Sequence, residues 1–189
     1  MDLIFKILLG VLLLLCIGVI FYFLDRKQQQ EFRIHAELQM RSESLDINIA
    51  APVIAEQEII IKSPIEKVWD TLTSIENWTS WQSQITKVEI DSAPIKYTTF
   101  SWIACGLKYE SQIHMCDEKQ HFGWIGTTWG AQAIHNWYFE SIDTNKTKVV
   151  VKESLEGLVP SMFTSFFVST LNNGMKANLD ELRKVCEGN

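Results

Sequence analysis

His135 stands in an aromatic run, AIHNWYF, two residues before Trp137. A histidine among aromatics can act as an acid/base catalyst, contact a ligand head group, or sit in a core with its own hydrogen bonds met. The neighbours decide between these. If 132–140 is a strand, alternation puts Ala133, His135, Trp137 and Phe139 on one face and Ile134, Asn136, Tyr138 and Glu140 on the other. In the following run, TKVVVKESLEG, Val149, Val151, Glu153 and Leu155 share a face opposite Lys148, Lys152 and Ser154. Matching apolar to apolar across the hairpin sets Phe139 against Val149, Trp137 against Val151 and His135 against Glu153. That registry needs an odd loop of about five residues around DTNK. A carboxylate beside an imidazole raises its pKa and fixes its tautomer. His135 and Glu153 are therefore the candidate catalytic pair, and equally a candidate head-group contact or a pair that only satisfies itself. Catalysis also needs a placed substrate and an oxyanion stabiliser, and the sequence names neither.

Other chemistries find no support. There is no Ser/His/Asp set and no phosphate-binding loop. The four cysteines, Cys16, Cys105, Cys116 and Cys186, form no CxxC pair and no metal-like spacing with histidine, so no metal or cofactor is expected. Three of them fall outside the N-terminal apolar run and cannot all pair, which favours free thiols and a reducing compartment. The net charge of −6 and the lack of a basic cluster speak against a nucleic-acid partner.

The elements that must hold His135 and Glu153 can be read outward from them. EQEIIIKS, 56–63, is a β-branched run and reads as a strand. SPIEKVWDTLTSIENW then gives a helix with Ser63 as cap, Pro64 at its first position and Glu66 closing a capping box. Val68, Trp69 and Leu72 form its apolar face, and a second short helix from near Ser74 carries Trp78 and Trp81. Strands follow at 85–91, 98–104, 108–116, 121–128, 132–142 and 147–155, as an antiparallel meander. After Pro160, Phe163, Phe167, Leu171, Met175 and Leu179 repeat every four residues and Leu182 and Val185 extend the face, so one long amphipathic helix closes the chain. The order is that of an α+β domain, with the long helix covering the apolar face of the sheet.

Turns at 130–131, 118–119 and 105–106 set the rest of the sheet. Phe122 falls opposite Phe139, Trp124 opposite Trp137 and Gly126 opposite His135. Met115 falls opposite Phe122, Ile113 opposite Trp124 and Ser111 opposite Gly126; Tyr109 falls opposite Trp102 and Ser111 opposite Phe100. Two rows are then wholly apolar, and one row, Ser111–Gly126–His135–Glu153, is polar with open space at the glycine. His114 takes the outer face and His121 lies beside a turn; both are expected to be solvated.

The N-terminus has a different character. Ile7–Leu24 is eighteen consecutive residues without a charge, a helix of roughly 27 Å and close to a hydrocarbon core. No small-x-small cleavage site follows, so residues 1–24 read as a transmembrane anchor. Lys6 precedes the run, whereas Arg26, Lys27, Arg33 and Arg41 follow it, which places the rest of the chain on the cytoplasmic side of a single-pass membrane protein. Residues 25–55 read as a juxtamembrane tether, first helical and then extended before Pro52.

SPIEKVWDTLTSIENWTSW, FGWIG, AIHNWYFESID and TKVVVKESLEG, in this order of strand, helices, meander and long helix, resemble the SRPBCC (START-like) superfamily over about residues 56–187. That superfamily includes polyketide cyclase/dehydrase-like and lipid-transport-like proteins, some with one N-terminal membrane helix. The resemblance implies a helix-grip fold, in which a curved antiparallel sheet wraps the C-terminal helix and leaves an apolar cavity. It carries over a cavity but no catalytic residue. With the register above, the expected lining is Trp102, Tyr109, Ser111, Ile113, Trp124, Gly126, His135, Trp137, Glu153, Phe163 and Phe167. Phe163, Phe166, Phe167 and Met162 form either core or a gate over the cavity mouth. The function expected is membrane-tethered binding of a hydrophobic small molecule or lipid. A cyclase/dehydratase using His135 and Glu153, and an interaction module whose cavity is filled by its own side chains, stay open beside it.

Overall fold

The structure, a computed structural model, describes the backbone of residues 2–42 and 46–188 and the side chains of residues 6–36 and 46–188. A single long helix, α1 (Asp2–Ser42), contains a stretch, Lys6–Ala36, long and apolar enough to cross a membrane. It does not stop where the apolar run ends. Beyond Leu24 it continues as helix and lies along the sheet, where Ala36 and Phe32 pack against Ile125 and Ile134.

The sheet is built from β1 (Val53–Ile61), β2 (Ile85–Ile90), β3 (Thr99–Ala104), β4 (Leu107–Asp117), β5 (His121–Thr128), β6 (Ala131–Asp143) and β7 (Lys146–Glu156). These seven strands form one curved antiparallel sheet in the order β1-β7-β6-β5-β4-β3-β2. Every neighbour after β1 is next in sequence, so only the first strand crosses to pair with the last. That crossing carries α2 (Ile65–Thr73) and a 3-10 turn at Ile75–Ser80 across the inner face. The chain ends with a short α3 (Leu158–Met162) and the long α4 (Thr164–Glu187). The α+β order of seven strands and a long C-terminal helix is what the sequence pattern predicts, and the helix-grip architecture is what the family resemblance implies.

The inner face holds the core. Met175, Leu179, Leu182 and Cys186 of α4 and Val68, Trp69 and Leu72 of α2 are buried with Phe122, Trp137, Phe139, Val149 and Val151 of the sheet. Trp78 fills the space under Phe100 and Trp124, and its indole N–H donates to the Leu72 carbonyl at 2.7 Å, so this buried tryptophan leaves no donor unmet. Lys148 and Lys152 take the outer face, as alternation predicts, and pair with Glu58 and Glu56 of the edge strand.

Two local expectations fail. Ser63 does not cap α2: it is buried, its carbonyl accepts from the Thr147 hydroxyl at 2.9 Å, and α2 has no side-chain cap. The helix begins one residue later than expected, with Pro64 at its N-cap position, and Glu66 turns outward toward Lys119. Val185 is exposed, and Cys186 takes the buried position one residue on.

Candidate functional site

β6 and β7 pair as the apolar matching requires, with Phe139 opposite Val149, Trp137 opposite Val151 and His135 opposite Glu153. The odd spacing is achieved differently from the expected five-residue loop. Asp143 pairs with Lys146 around a two-residue turn, and the register shifts by one between Ser141 and Asp143. A bulge at Ile142 thus keeps the apolar residues on one face while the turn stays tight.

His135 Nδ1 is hydrogen-bonded to Glu153 Oε2. Both side chains are largely buried, at 11% and 13% exposure, so the contact is shielded from water. The imidazole stacks on the Trp124 indole with centroids 4.4 Å apart and planes 18° from parallel. A flat indole on one side and the carboxylate at one nitrogen fix the ring. Its other nitrogen, Nε2, is buried without a hydrogen-bond partner, and so is the indole N–H of Trp137, two residues along the same face. With Nδ1–H donating to the carboxylate, Nε2 presents a lone pair and Trp137 presents a donor. A hydroxyl or carbonyl group on a bound molecule complements such a pair.

The row containing His135 differs from the expected one. β5 and β6 pair through a two-residue turn at Trp129–Gly130, so Trp124 faces His135, Phe122 faces Trp137 and Gly126 faces Ala133. The expected turn at 130–131 displaced each pair by two residues. The face survives such a slip and the row does not. His135 therefore has Trp124 rather than Gly126 beside it, and the row runs Ile113–Trp124–His135–Glu153–Ala55. Ser111 keeps its expected partners, Gly126 and Phe100, and Tyr109 lies opposite Trp102. Met115 pairs with Gly123 instead of Phe122, because β4 bulges between Ile113 and Met115.

The predicted lining residues fall into three groups. Ile113, Trp124 and Trp137 are buried with the core. Trp102 and Tyr109 are half-buried, stacked at 4.3 Å, and the Trp102 indole donates to Ser111 Oγ at 3.0 Å beside Gly126. Phe167 is half-buried at the start of α4, whereas Phe163 points outward, 56% exposed. The inner face is thus graded along the strands. Where Met175, Leu179 and Leu182 cover it, it is sealed. Toward the first turns of α4, Trp102, Tyr109, Ala133, Leu155, Phe167 and Leu171 are all half-buried. The layer between helix and sheet is less completely covered at that end, and His135 and Glu153 lie where the sealed core gives way to these half-buried side chains. A separate depression on the outer face, between Arg33 of α1 and Glu110, Gln112 and Thr127, lies across the sheet from this pair.

His114 departs most from expectation. It takes the outer face, as alternation predicts, but is fully buried there, with Nε2 2.7 Å from Asn136 Oδ1. Burial drives its pKa down to about 4, partly opposed by the bond to Asn136. The cause is the cover on the outer face. Asp46 meets the Tyr138 hydroxyl at 3.3 Å, and Asn48 donates to Ser154 and Glu156, so the segment before β1 closes over the sheet. Gly123 lies between the strands of His114 and Asn136, and the two side chains meet over it; a Cβ there would stand 2.5 Å from Asn136 Oδ1 and 2.9 Å from His114 Nε2. A glycine inside a strand marks close approach, and in FGWIG that signal belongs to Gly123 as well as to Gly126. His121 is partly exposed and pairs with Asp117 at 3.1 Å. Among the described residues, no group of three His, Cys, Asp or Glu side chains is placed to hold a metal ion.

Residues 52–187 match the model of a family described as polyketide cyclase/dehydrase and lipid transport. No curated protein matches the chain in sequence. Similar solved structures include a hypothetical protein from Helicobacter pylori, 19% identical, with a TM-score of 0.65, covering 72% of this chain and 89% of that one. The Zhui aromatase/cyclase from Streptomyces sp. R1128 is 15% identical with a TM-score of 0.64, over 71% of this chain and 93% of that one. A START superfamily protein from Mycobacterium smegmatis is 11% identical with a TM-score of 0.60, over 71% of this chain and 97% of that one. At such identities these likenesses speak for the fold alone.

Proposed function

The chain belongs to the polyketide cyclase/dehydrase and lipid transport family, and from that premise we propose that it binds a hydrophobic small molecule or lipid in the cleft between α4 and the sheet while α1 holds it at a membrane. The supporting observation is the pairing of His135 Nε2 and Trp137 Nε1, two buried polar atoms without protein partners, at the inner end of a half-buried apolar cleft. Ligand sites commonly combine an apolar wall with a few convergent polar groups. Trp102, Tyr109, Trp124, Phe167 and Leu171 supply the wall. His135, positioned by Glu153, and Trp137 supply the polar end, and Ser111 lies one row from His135 toward Tyr109. The apolar run of α1 gives the domain a reason to work at a bilayer: the ligand is scarce in water and abundant there.

The test is extraction and mass spectrometry of whatever co-purifies with the full chain, followed by titration with a fluorescent polyene fatty alcohol. His135→Leu and Trp137→Phe are each expected to weaken binding about tenfold or more, since each strands a polar group of the ligand in an apolar pocket. Unchanged affinity in both variants would remove the polar end from the reading. No co-purifying molecule together with no probe binding would instead favour a module filled by its own side chains.

A catalytic reading has one observation of its own. A carboxylate on Nδ1 with Nε2 free is the arrangement that makes Nε2 a general base. Glu153→Gln should then stop turnover of the bound molecule while leaving its affinity nearly unchanged. Loss of affinity in parallel with turnover would assign Glu153 to binding.

A further inference from the structure

Successive turns of α1 grip one hairpin of the sheet. The Phe21 ring lies 5.0 Å from that of Trp129. One turn later the buried Asp25 accepts from the Gly130 amide at 3.1 Å. Gln29 donates to the Thr128 carbonyl at 2.6 Å, and Arg33 hydrogen-bonds the Thr127 hydroxyl. Residues 21, 25, 29 and 33 form a single stripe, and Thr127–Gly130 descends along it toward the apolar run. Trp129 thus stands level with Phe21, one helical turn to the apolar side of Asp25, Arg26 and Lys27, or about 6 Å.

The α3–α4 corner is fixed to the same turn. Gly130 has φ +75°, and a Cβ there would meet Val159 Cγ2 at 2.4 Å, so α3 rests directly on it. The Val159 amide donates to the Gly130 carbonyl at 3.2 Å. Just beyond, Met162, Phe163 and Phe166 are 68%, 56% and 65% exposed, and Trp129 is 61% exposed. From Gly157 to Met175 the sequence contains no charged residue. A long, exposed, charge-free segment with three large apolar side chains is costly in water.

We propose that Trp129, Met162, Phe163 and Phe166 insert into the headgroup–acyl boundary of the leaflet from which α1 emerges, so that the cleft opens onto the bilayer surface. The inference rests on α1 spanning the membrane. Two structural features select a bilayer as the occupant. The patch is continuous with the apolar run through the Phe21–Trp129 contact, and the ties at residues 25, 29 and 33 set its depth. Aromatic side chains favour this layer, and apolar faces bury several ångströms into it. The consequence for the proposed function is a route: a lipid-like molecule can pass between leaflet and cleft at the α3–α4 corner without crossing bulk water.

The experiment uses the full chain in phosphatidylcholine/phosphatidylglycerol vesicles. Single-cysteine versions carry a fluorophore at native Cys16, at Met162→Cys, at Phe166→Cys or at Lys184→Cys, with the other accessible cysteines changed to serine. Spin-labelled lipids are the membrane-side quencher and iodide the water-side quencher. Labels at 162 and 166 should be quenched several-fold more by the shallow spin-labelled lipid than the label at 184, and should be protected from iodide. If both behave like the label at 184 while Cys16 is quenched by the deep spin label, the insertion is wrong and the anchor stands. A Cys16 label that no lipid quenches overturns the anchor and the insertion together. Probe binding in the cleft is measured separately and survives or fails by its own result.

Discussion

Gly123→Ala is expected to lower the stability of the folded domain by about 3 kcal/mol, combining overpacking with a broken buried hydrogen bond. The added methyl would fall 2.5 Å from Asn136 Oδ1, 2.9 Å from His114 Nε2 and 3.1 Å from the His135 carbonyl. The first two atoms end side chains that are fully buried and bonded to each other. Retreat of either breaks that bond inside the protein, where His114 Nδ1 already lacks a partner. The third is backbone of β6, the strand that carries His135, so relief on that side would shift the site. Thermal unfolding of the full chain in detergent, followed by tryptophan fluorescence, should show a melting point lower by roughly 10 °C. The mechanism has its own check in a double-mutant cycle. In an Asn136→Ala background the nearest atom is gone, and the same glycine substitution should cost much less. A variant within error of the parent, or strict additivity with Asn136→Ala, would show that the strands open freely at this point.

The second large effect is acid lability centred on His114. The folded protein keeps this side chain neutral down to about pH 4, whereas the unfolded chain takes up the proton near the ordinary value of about 6.5. Between these limits the unfolded state binds more protons, so stability falls as pH falls, by up to about 3 kcal/mol across the window. Above pH 6.5 the two states are equally unprotonated and the effect vanishes. Denaturant midpoints measured from pH 7.5 to pH 4.5 should decline steeply for the parent. His114→Gln should flatten that slope whatever its own stability at pH 7.5, because the comparison is between slopes. Parallel slopes in the two proteins would place the acid sensitivity among the carboxylates instead. The His114→Gln comparison isolates this side chain from His135, which is bonded to Glu153 on the opposite face.

Strand alternation and apolar matching carried the sequence reading a long way, and its failures are specific. The β6–β7 register was legible because it sets Phe139 directly against Val149 and Trp137 directly against Val151, apolar to apolar. The His135–Glu153 pair follows from it. The β5–β6 register was not, because Trp129 is a strong strand former locally and a turn residue in fact. Its position is fixed by Phe21, more than a hundred residues away in the chain, and no local signal reports such a contact. The burial of His114 was illegible for a related reason. Periodicity assigns a side chain to a face but cannot say whether that face is covered, and the covering segment comes from residues 46–48, before the first strand. The capping box failed where Ser63 is buried against β7, its carbonyl held by Thr147. In each case a short-range rule lost to a partner distant in sequence.

The unbroken course of α1 from the apolar run to Ser42, with side-chain ties to the sheet at Asp25, Gln29 and Arg33, has a consequence for kinetics. A domain on a slack leash must find the right pose at each encounter with the membrane, and its effective concentration falls as the leash lengthens. A strut bonded to its load removes that search. For α1 seated in a bilayer, as proposed above, rotation about the helix axis and lateral diffusion would remain, but tilt and height would be set once, when the chain folds. Loading and unloading of a membrane-borne molecule would then be first-order events whose rate is governed by the parting of α4 from the sheet, and it would be independent of how many copies share the same membrane.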